Sequence, residues 1–145
     1  MGRRRPLLSP PKAFACAMLN DGGRILFLVQ KERYGRKRLV LPWAKIEGRR
    51  DPVGEIGKAF LEQSGIDGQV HEPLFEGRYN AGSNKYKKWI PLLVFGVSAK
   101  KMQCVPSKEF EGFRWLSIKD ALKKEKKKEI FLEKWVSALL RKIIK

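Results

Sequence analysis

The chain contains several short apolar runs that are separated by polar or glycine-rich turns. Runs of this length and character predict β-strands at residues 13–19, 24–30, 39–41 and 89–98, and the more polar residues 70–79 are predicted to form a strand as well. The turn sequence after the first run, Asn20-Asp21-Gly22-Gly23, predicts that the first two strands form a hairpin. The run at 89–98 is almost wholly apolar, which is typical of a central strand that is covered on both faces.

A helical pattern occupies residues 52–64, because apolar residues recur there at the spacing of one helix face. Asp51 and Pro52 suit the N-cap and the first helical position, and Gly65 suits the left-handed residue that ends a helix. The residues predicted to face the sheet are Val53, Ile56, Phe60 and Leu61.

The C-terminal region predicts two further helices. Ser117, followed by Asp120, suits the N-cap of a short helix, and the lysine-rich residues 123–128 then predict a basic linker. Residues 129–144 predict a closing amphipathic helix, since large apolar residues recur at every fourth position. These residues are Phe131, Trp135, Leu139 and Ile143.

Composition adds a strong charge and little else. The 145 residues suit one domain, at 12–145, preceded by a basic, proline-rich tail at 1–11, and the net charge is +17. Such a balance favours an anionic partner, although a lysine-rich surface of the kind found in heat-adapted proteins is the alternative. Cys16 and Cys104 lie far apart in apolar segments, which favours buried free thiols and a reducing cytoplasm. No apolar run approaches the ~18 residues of a membrane span, so no membrane association is expected.

Residues 42–66 carry a longer motif, PWAKIEGRRDPVGEIGKAFLEQSGI, which resembles the signature of the Nudix (MutT-like) hydrolase family. The family pattern is Gly, five residues, Glu, seven residues, Arg-Glu, an apolar residue, any residue, Glu-Glu, any residue, Gly and an apolar residue. The spacing is kept here without a gap, but the motif is degenerate. The matching positions hold Ala44, Arg50, Lys58, Ala59, Phe60, Glu62, Gln63, Gly65 and Ile66.

The resemblance implies an α/β fold, the Nudix α/β/α sandwich with a mixed β-sheet, over residues 12 to 142. Residues 109–118 are similar to the last strand of that fold, where an acidic loop precedes an apolar segment ending in Trp. The expected order is therefore three strands, a helix, three strands and two helices. The resemblance also implies divalent cations, held by carboxylates of the motif helix, and cleavage of a nucleoside diphosphate derivative.

The expected metal set is Glu62, Gln63 and Glu109, with Glu111 as the alternate to Glu109, and the expected catalytic residues are Glu62 and Glu109. Mg²⁺ or Mn²⁺ is the expected cofactor if the protein is active, and the absence of a cofactor is the alternative. Because Ala59 supplies no ligand and Lys58 and Arg50 add positive charge, weak metal binding is expected.

Basic residues around the motif are candidates for binding substrate phosphates. They are Lys45, Arg49, Arg50 and Lys58, joined by Arg36 and Arg38 from a predicted basic loop at 31–38 that also contains Lys31, Arg33 and Lys37. A solvated charge run is the alternative for that loop. Trp43 is a further candidate, because the family commonly has Gly there, and its ring could stack on a base or block the cleft.

Three functions are compatible with these observations. The first is a binding protein that holds a nucleotide or RNA in a basic cleft with little or no hydrolysis. The second is a slow metal-dependent diphosphate hydrolase. The third is a protein–protein interaction module that has only inherited the fold. Segments that interleave aromatic and basic residues, 77–79 and 85–89, favour RNA contact or else simple packing.

Overall fold

The structure is a computed structural model that describes residues 12–33 and 35–143. The basic tail predicted at 1–11 and the last residue of the predicted closing helix, Ile144, lie outside the described residues, and only the backbone of Arg33, a predicted phosphate ligand, is described.

Eight strands and three helices form the described part of the chain. The first half contains four strands and the motif helix, and the second half contains four strands and two helices. In order they are β1 (Ala13–Asp21), β2 (Arg24–Arg33), β3 (Arg36–Val40), β4 (Trp43–Ile46), α1 (Pro52–Ser64), β5 (Gln69–Asn80), β6 (Trp89–Ser98), β7 (Gly112–Leu116), α2 (Ile118–Lys126), β8 (Ile130–Leu132) and α3 (Lys134–Ile143).

The strands form one mixed sheet, with β1 near its centre. β1 pairs in parallel with β6 and antiparallel with both β4 and β2. β5 continues the sheet beyond β6, while β3 and β7 both pair antiparallel with β2, and β8 pairs in parallel with β3. The α/β class and the mixed sheet predicted from the sequence are confirmed.

The basic segment at 31–38 is not a loop, so that prediction is wrong. β2 runs to Arg33 and β3 begins at Arg36, and these two residues pair across a tight hairpin. Gly35 makes the turn with a φ of 74°, a value that costs glycine little. Backbone hydrogen bonds between β2 and β3 therefore extend both strands into this segment. Its charged side chains had not indicated a strand in the sequence.

The C-terminal region also differs from the elements that the sequence predicted for it. The predicted linker at 123–128 is mostly helical, because α2 continues to Lys126, and lysine is a good helix former. The predicted helix at 129–144 begins instead with the short strand β8, where Ile130 and Leu132 are buried and pair with β3. The short strand β4 was missed altogether, since its four residues include Lys45 and show no apolar run.

Helix α1 begins and ends as predicted. Asp51 accepts hydrogen bonds from the first-turn backbone N–H groups, and Gly65 has a φ of 74° at the C-terminal end. Ile56 and Phe60 are buried against the sheet as expected.

Two other residues of α1 that were predicted to face the sheet are exposed. Val53 is 43% exposed, and it borders an open depression formed with residues 70–74 at the start of β5. Leu61 is 47% exposed, because it lies about 100° around the helix from Phe60, beyond the arc that the sheet covers. The helix therefore buries a narrower stripe than its sequence predicts.

Strand β6 lies inside the sheet, between β5 and β1, but its first half is covered on one face only. Ile90, Leu92 and Val94 are buried, whereas Trp89 and Pro91 are exposed. The prediction that both faces are covered thus holds only near the second half of the strand. The apolar run reflects the core on one face and an open surface on the other.

Candidate functional site

The side chain of Gln63 forms hydrogen bonds between the motif helix and β4. Its Oε1 accepts a hydrogen bond from the backbone N–H of Trp43 at 3.1 Å, and its Nε2 donates to the backbone carbonyl of Trp43 at 2.8 Å. The two bonds close a ring between the amide and one peptide unit of the strand. Both polar atoms of Gln63 are therefore bonded to β4.

The C-terminal end of α1 is joined to the loop between β6 and β7. The backbone N–H groups of Val105 and Ser107 donate to the carbonyls of Ser64 and Gln63, at 2.8 and 3.0 Å. Carbonyls in the last turn of a helix have no partner inside the helix, so this loop satisfies two of them. Gln63 is thereby linked to both β4 and the loop.

The acidic residues predicted from the sequence lie on α1 and in the loop between β6 and β7. Glu109 belongs to the docked loop and accepts a hydrogen bond from the hydroxyl of Ser107 at 3.1 Å. Glu62 is exposed on α1, and the alternate residue Glu111 forms an ion pair with Lys37 at 3.0 Å.

Within residues 12–33 and 35–143, no three His, Cys, Asp or Glu side chains lie close enough together to hold a metal ion. The side chain of Gln63, the third predicted ligand, is already bonded to the peptide of Trp43. The residues that the structure describes therefore do not fit a divalent cation held by a carboxylate cluster.

Most of the predicted phosphate ligands near the motif are exposed and form no ion pair with a described acidic residue. Lys45 on β4, Arg49 in the following loop and Lys58 on α1 are exposed and form no ion pair with any residue that the structure describes. Arg50 lies 3.6 Å from Glu55, but its side chain is 66% exposed, so this contact contributes little.

Arg36 and Arg38 on β3 are both engaged with the C-terminal part of the chain. Arg36 donates to the carbonyl of Ile130 at 3.4 Å, and its guanidinium lies 5.3 Å from the ring centre of Phe131. Arg38 is half-buried and forms an ion pair with Glu133. These contacts hold β8 beside β3, and the role of the two arginines in substrate binding stays a prediction.

Four aromatic rings pack together on one face of the sheet. The ring of Phe14 stacks on Tyr79 with centroids 3.9 Å apart and on Trp43 at 5.6 Å, and Trp135 of α3 meets Phe14 edge-on at 5.0 Å. Burial raises the pKa of the Tyr79 hydroxyl above its usual value.

Trp43 was a candidate from its place in the motif, whereas nothing in the sequence pattern singled out its partner Phe14. The contact between Trp43 and Phe14 follows from the register of β4 on β1. Trp43 pairs with Cys16, and Phe14 lies two residues earlier on the same face of β1. Lys45 pairs directly with Phe14, so a cation adjoins the aromatic cluster.

The two segments that interleave aromatic and basic residues form local cation–π contacts. Arg78 lies 4.8 Å from the ring centre of Trp89, and Lys85 lies 5.5 Å from that of Tyr86. Trp89 and Tyr86 are exposed, and contact of these segments with RNA stays a prediction.

The two cysteines are free and buried, as predicted. Burial raises the pKa of Cys104 to about 11 and that of Cys16 further still. None of the helices in the described part of the chain is long and apolar enough to cross a membrane.

No protein-family model matches the chain, and a search of curated proteins gives no match. Solved structures do match. The chain is 14% identical to the E. coli ORF135 protein in its solution structure, with a TM-score of 0.66 over 91% of this chain and 87% of that one. It is 14% identical to the MutT protein from Methanosarcina mazei Go1, with a TM-score of 0.66 over 94% and 95% of the two chains.

A C. elegans Ap4A hydrolase, solved as a binary complex, is 15% identical, with a TM-score of 0.60 over 90% of this chain and 93% of that one. Structures described as Nudix hydrolases from Nitrosomonas europaea and Clostridium perfringens match at TM-scores of 0.59 and 0.62. At identities this low, the likeness concerns the arrangement of strands and helices. The expectation drawn from the degenerate motif is confirmed at that level: the chain has the Nudix fold.

Proposed function

We propose that this Nudix-fold protein binds the phosphate group of a nucleotide or of RNA and hydrolyses it little or not at all. The observation that carries the proposal is the charge around the motif helix. Lys45, Arg49 and Lys58 are exposed without an ion pair among the described residues, and no acidic cluster lies beside them to hold a metal.

Phosphate can be neutralised by divalent cations held on carboxylates or by basic side chains directly. An acidic metal site raises the affinity for cations, whereas free Lys and Arg side chains attract the anion itself. Arg50 and Ala59 stand at motif positions where the family pattern has Glu, and Lys58 keeps the positive charge of the pattern's Arg. The balance of charge therefore favours direct contact between the protein and phosphate.

The aromatic cluster supports a ligand that carries a base as well as a phosphate. Trp43 is half-buried, and Lys45 follows it by two residues on the same face of β4. An aromatic ring beside a cation suits a base that stacks while its phosphate meets the charge. Trp43 is itself packed on Phe14, which fixes the orientation of its ring.

A binding titration with single-stranded RNA, repeated at several salt concentrations, tests the proposal. Replacing Lys45, Arg49 and Lys58 together by Gln should weaken binding roughly 10- to 100-fold and lower the salt-dependence slope by about 2. The matched control replaces Lys119, Lys123 and Lys126 of α2, which packs on β7, β8 and α3, and removes the same charge. Equal effects of the two triple variants, or affinity that does not change with salt, would contradict the proposal.

A hydrolysis panel separates binding from catalysis. The panel contains ADP-ribose, dinucleoside polyphosphates, nucleoside triphosphates and 5′-capped or triphosphorylated RNA, each with Mg²⁺ or Mn²⁺. We expect no turnover, or turnover that Glu62→Ala leaves unchanged. Turnover that Glu62→Ala abolishes would replace the proposal by its alternative, a metal-dependent hydrolase that uses Glu62 and Glu109.

A further inference from the structure

The ring formed by the Gln63 amide and the Trp43 peptide has a consequence for metals that is independent of any nucleotide. Nε2 donates to the Trp43 carbonyl at 2.8 Å and Oε1 accepts from the Trp43 N–H at 3.1 Å, so every polar atom in the ring has a complementary partner. Gln63 is half-buried, and the same residue also accepts from Ser107 through its backbone carbonyl.

A carboxylate of the same length could not make this ring. An ionised Glu side chain has two acceptor oxygens and no donor. One oxygen could still accept from the Trp43 N–H, but the other would lie about 2.8 Å from the Trp43 carbonyl oxygen, in the place of Nε2. Two acceptors at that distance repel each other unless a proton or a cation lies between them.

We propose that the Gln63 amide takes the place of a metal ion at the junction of α1 and β4. Nε2 occupies the position that a second carboxylate oxygen would take, and its N–H donates to the Trp43 carbonyl, so this junction is held together without metal. Gln63→Glu should therefore convert the junction into a cation site, because it exchanges the donor for a second oxygen facing the Trp43 carbonyl.

The neighbouring side chains are consistent with a junction that needs no cation. Ala59 lies one turn before Gln63 and offers no oxygen ligand. Lys58 lies five residues before Gln63 on the same helix and is exposed to solvent. Glu62 is the adjacent acid on the helix, and it is exposed to solvent.

Thermal unfolding of Gln63→Glu tests this without any substrate. In EDTA at pH 8 we expect the Tm to fall by roughly 5 °C, since the introduced carboxylate faces a carbonyl oxygen. Millimolar Mn²⁺ or Mg²⁺ should restore most of that loss, and so should pH 5, where a protonated carboxyl group can again donate. Wild-type protein should show neither response.

Two further variants control for the chemistry. Gln103→Glu makes the same change at an exposed position, and its Tm should be independent of Mn²⁺. Gln63→Met removes both hydrogen bonds without adding a charge, so it should lose stability and gain nothing from Mn²⁺ or acid.

Direct Mn²⁺ titration followed by electron paramagnetic resonance gives a second measurement. The Gln63→Glu variant should bind one Mn²⁺ ion more than wild type or Gln103→Glu. If Gln63→Glu fails to fold in EDTA, recovery of folded protein on refolding in Mn²⁺ supports the proposal. No recovery, an unchanged Tm in EDTA, or an equal rise in wild-type Tm with Mn²⁺ would each overturn it. Because no nucleotide is present, failure here leaves the proposed binding function to its own test.

Discussion

Gly65 ends the motif helix, and its replacement by Ala should destabilise the protein more than a typical surface substitution. The residue has a φ of 74°, in the left-handed region that side chains disfavour. A Cβ at this position would also lie 2.6 Å from the backbone carbonyl oxygen of Val105. That atom belongs to main chain, which has little freedom to move aside.

The cost can be worked from these two facts. Placing Ala in the left-handed conformation costs about 1 kcal/mol or somewhat more. Moving Val105 away would also weaken the hydrogen bond from its N–H to Ser64, at 2.8 Å, which contributes about 1 kcal/mol. We therefore expect Gly65→Ala to lower the free energy of unfolding by about 2–3 kcal/mol and the Tm by roughly 6–9 °C.

Gly57→Ala provides the matched control within the same helix. Gly57 lies in the helix interior, and an added Cβ would make an ordinary contact with Val70 at 3.4 Å. Ala is a better helix former than Gly, so this variant should gain about 0.5–1 kcal/mol. The two identical chemical changes should thus shift the urea unfolding midpoint in opposite directions. If both variants are neutral, or both are stabilised, then the helix ending and the docking of Val105 described above are wrong.

Three further outcomes are expected. Asp51→Ala should lose about 1 kcal/mol of unfolding free energy through the lost N-cap, whereas Asp51→Asn should lose little; equal urea midpoints for the two would contradict the capping role. Glu133→Gln should lose about 1–2 kcal/mol of unfolding free energy, because the half-buried ion pair with Arg38 is replaced by a neutral hydrogen bond; thermal unfolding measures the loss, with the exposed Glu129→Gln as control. The thiol of Cys104 has a pKa raised to about 11 from 9.0, so its contribution to stability is full below pH 9 and is lost as the pH rises through 11. Urea unfolding at pH 8 and at pH 10.5 measures this loss. The decline in unfolding free energy between the two pH values should be smaller in Cys104→Ala than in wild type.

The sequence by itself was enough to predict the motif helix and most of the central strands. Asp51, Pro52 and Gly65 act through local backbone geometry, which neighbouring residues determine and which can be read without the rest of the chain. The strands β1 and β6 were predictable because each is a nearly continuous apolar run of strand length. The spacing of the motif was also kept, and it indicated the fold that the structure has.

Strand pairing, by contrast, was decided by tertiary structure. β8 is a strand because β3 lies beside it, and β4 is a strand because β1 does, and neither segment has a strong pattern of its own. The four-ring aromatic cluster depends in the same way on register between distant strands.

The chemistry of the candidate site shows the same division. The resemblance of the motif made Gln63 a candidate metal ligand, because it stands beside Glu62 where the family pattern has a second Glu. The fold brings α1 against β4 and gives both polar atoms of that amide to the peptide of Trp43. Sequence determined which functional groups are available, and tertiary contacts determined how they are used, because a hydrogen bond depends on a partner within about 3 Å that may lie anywhere along the chain.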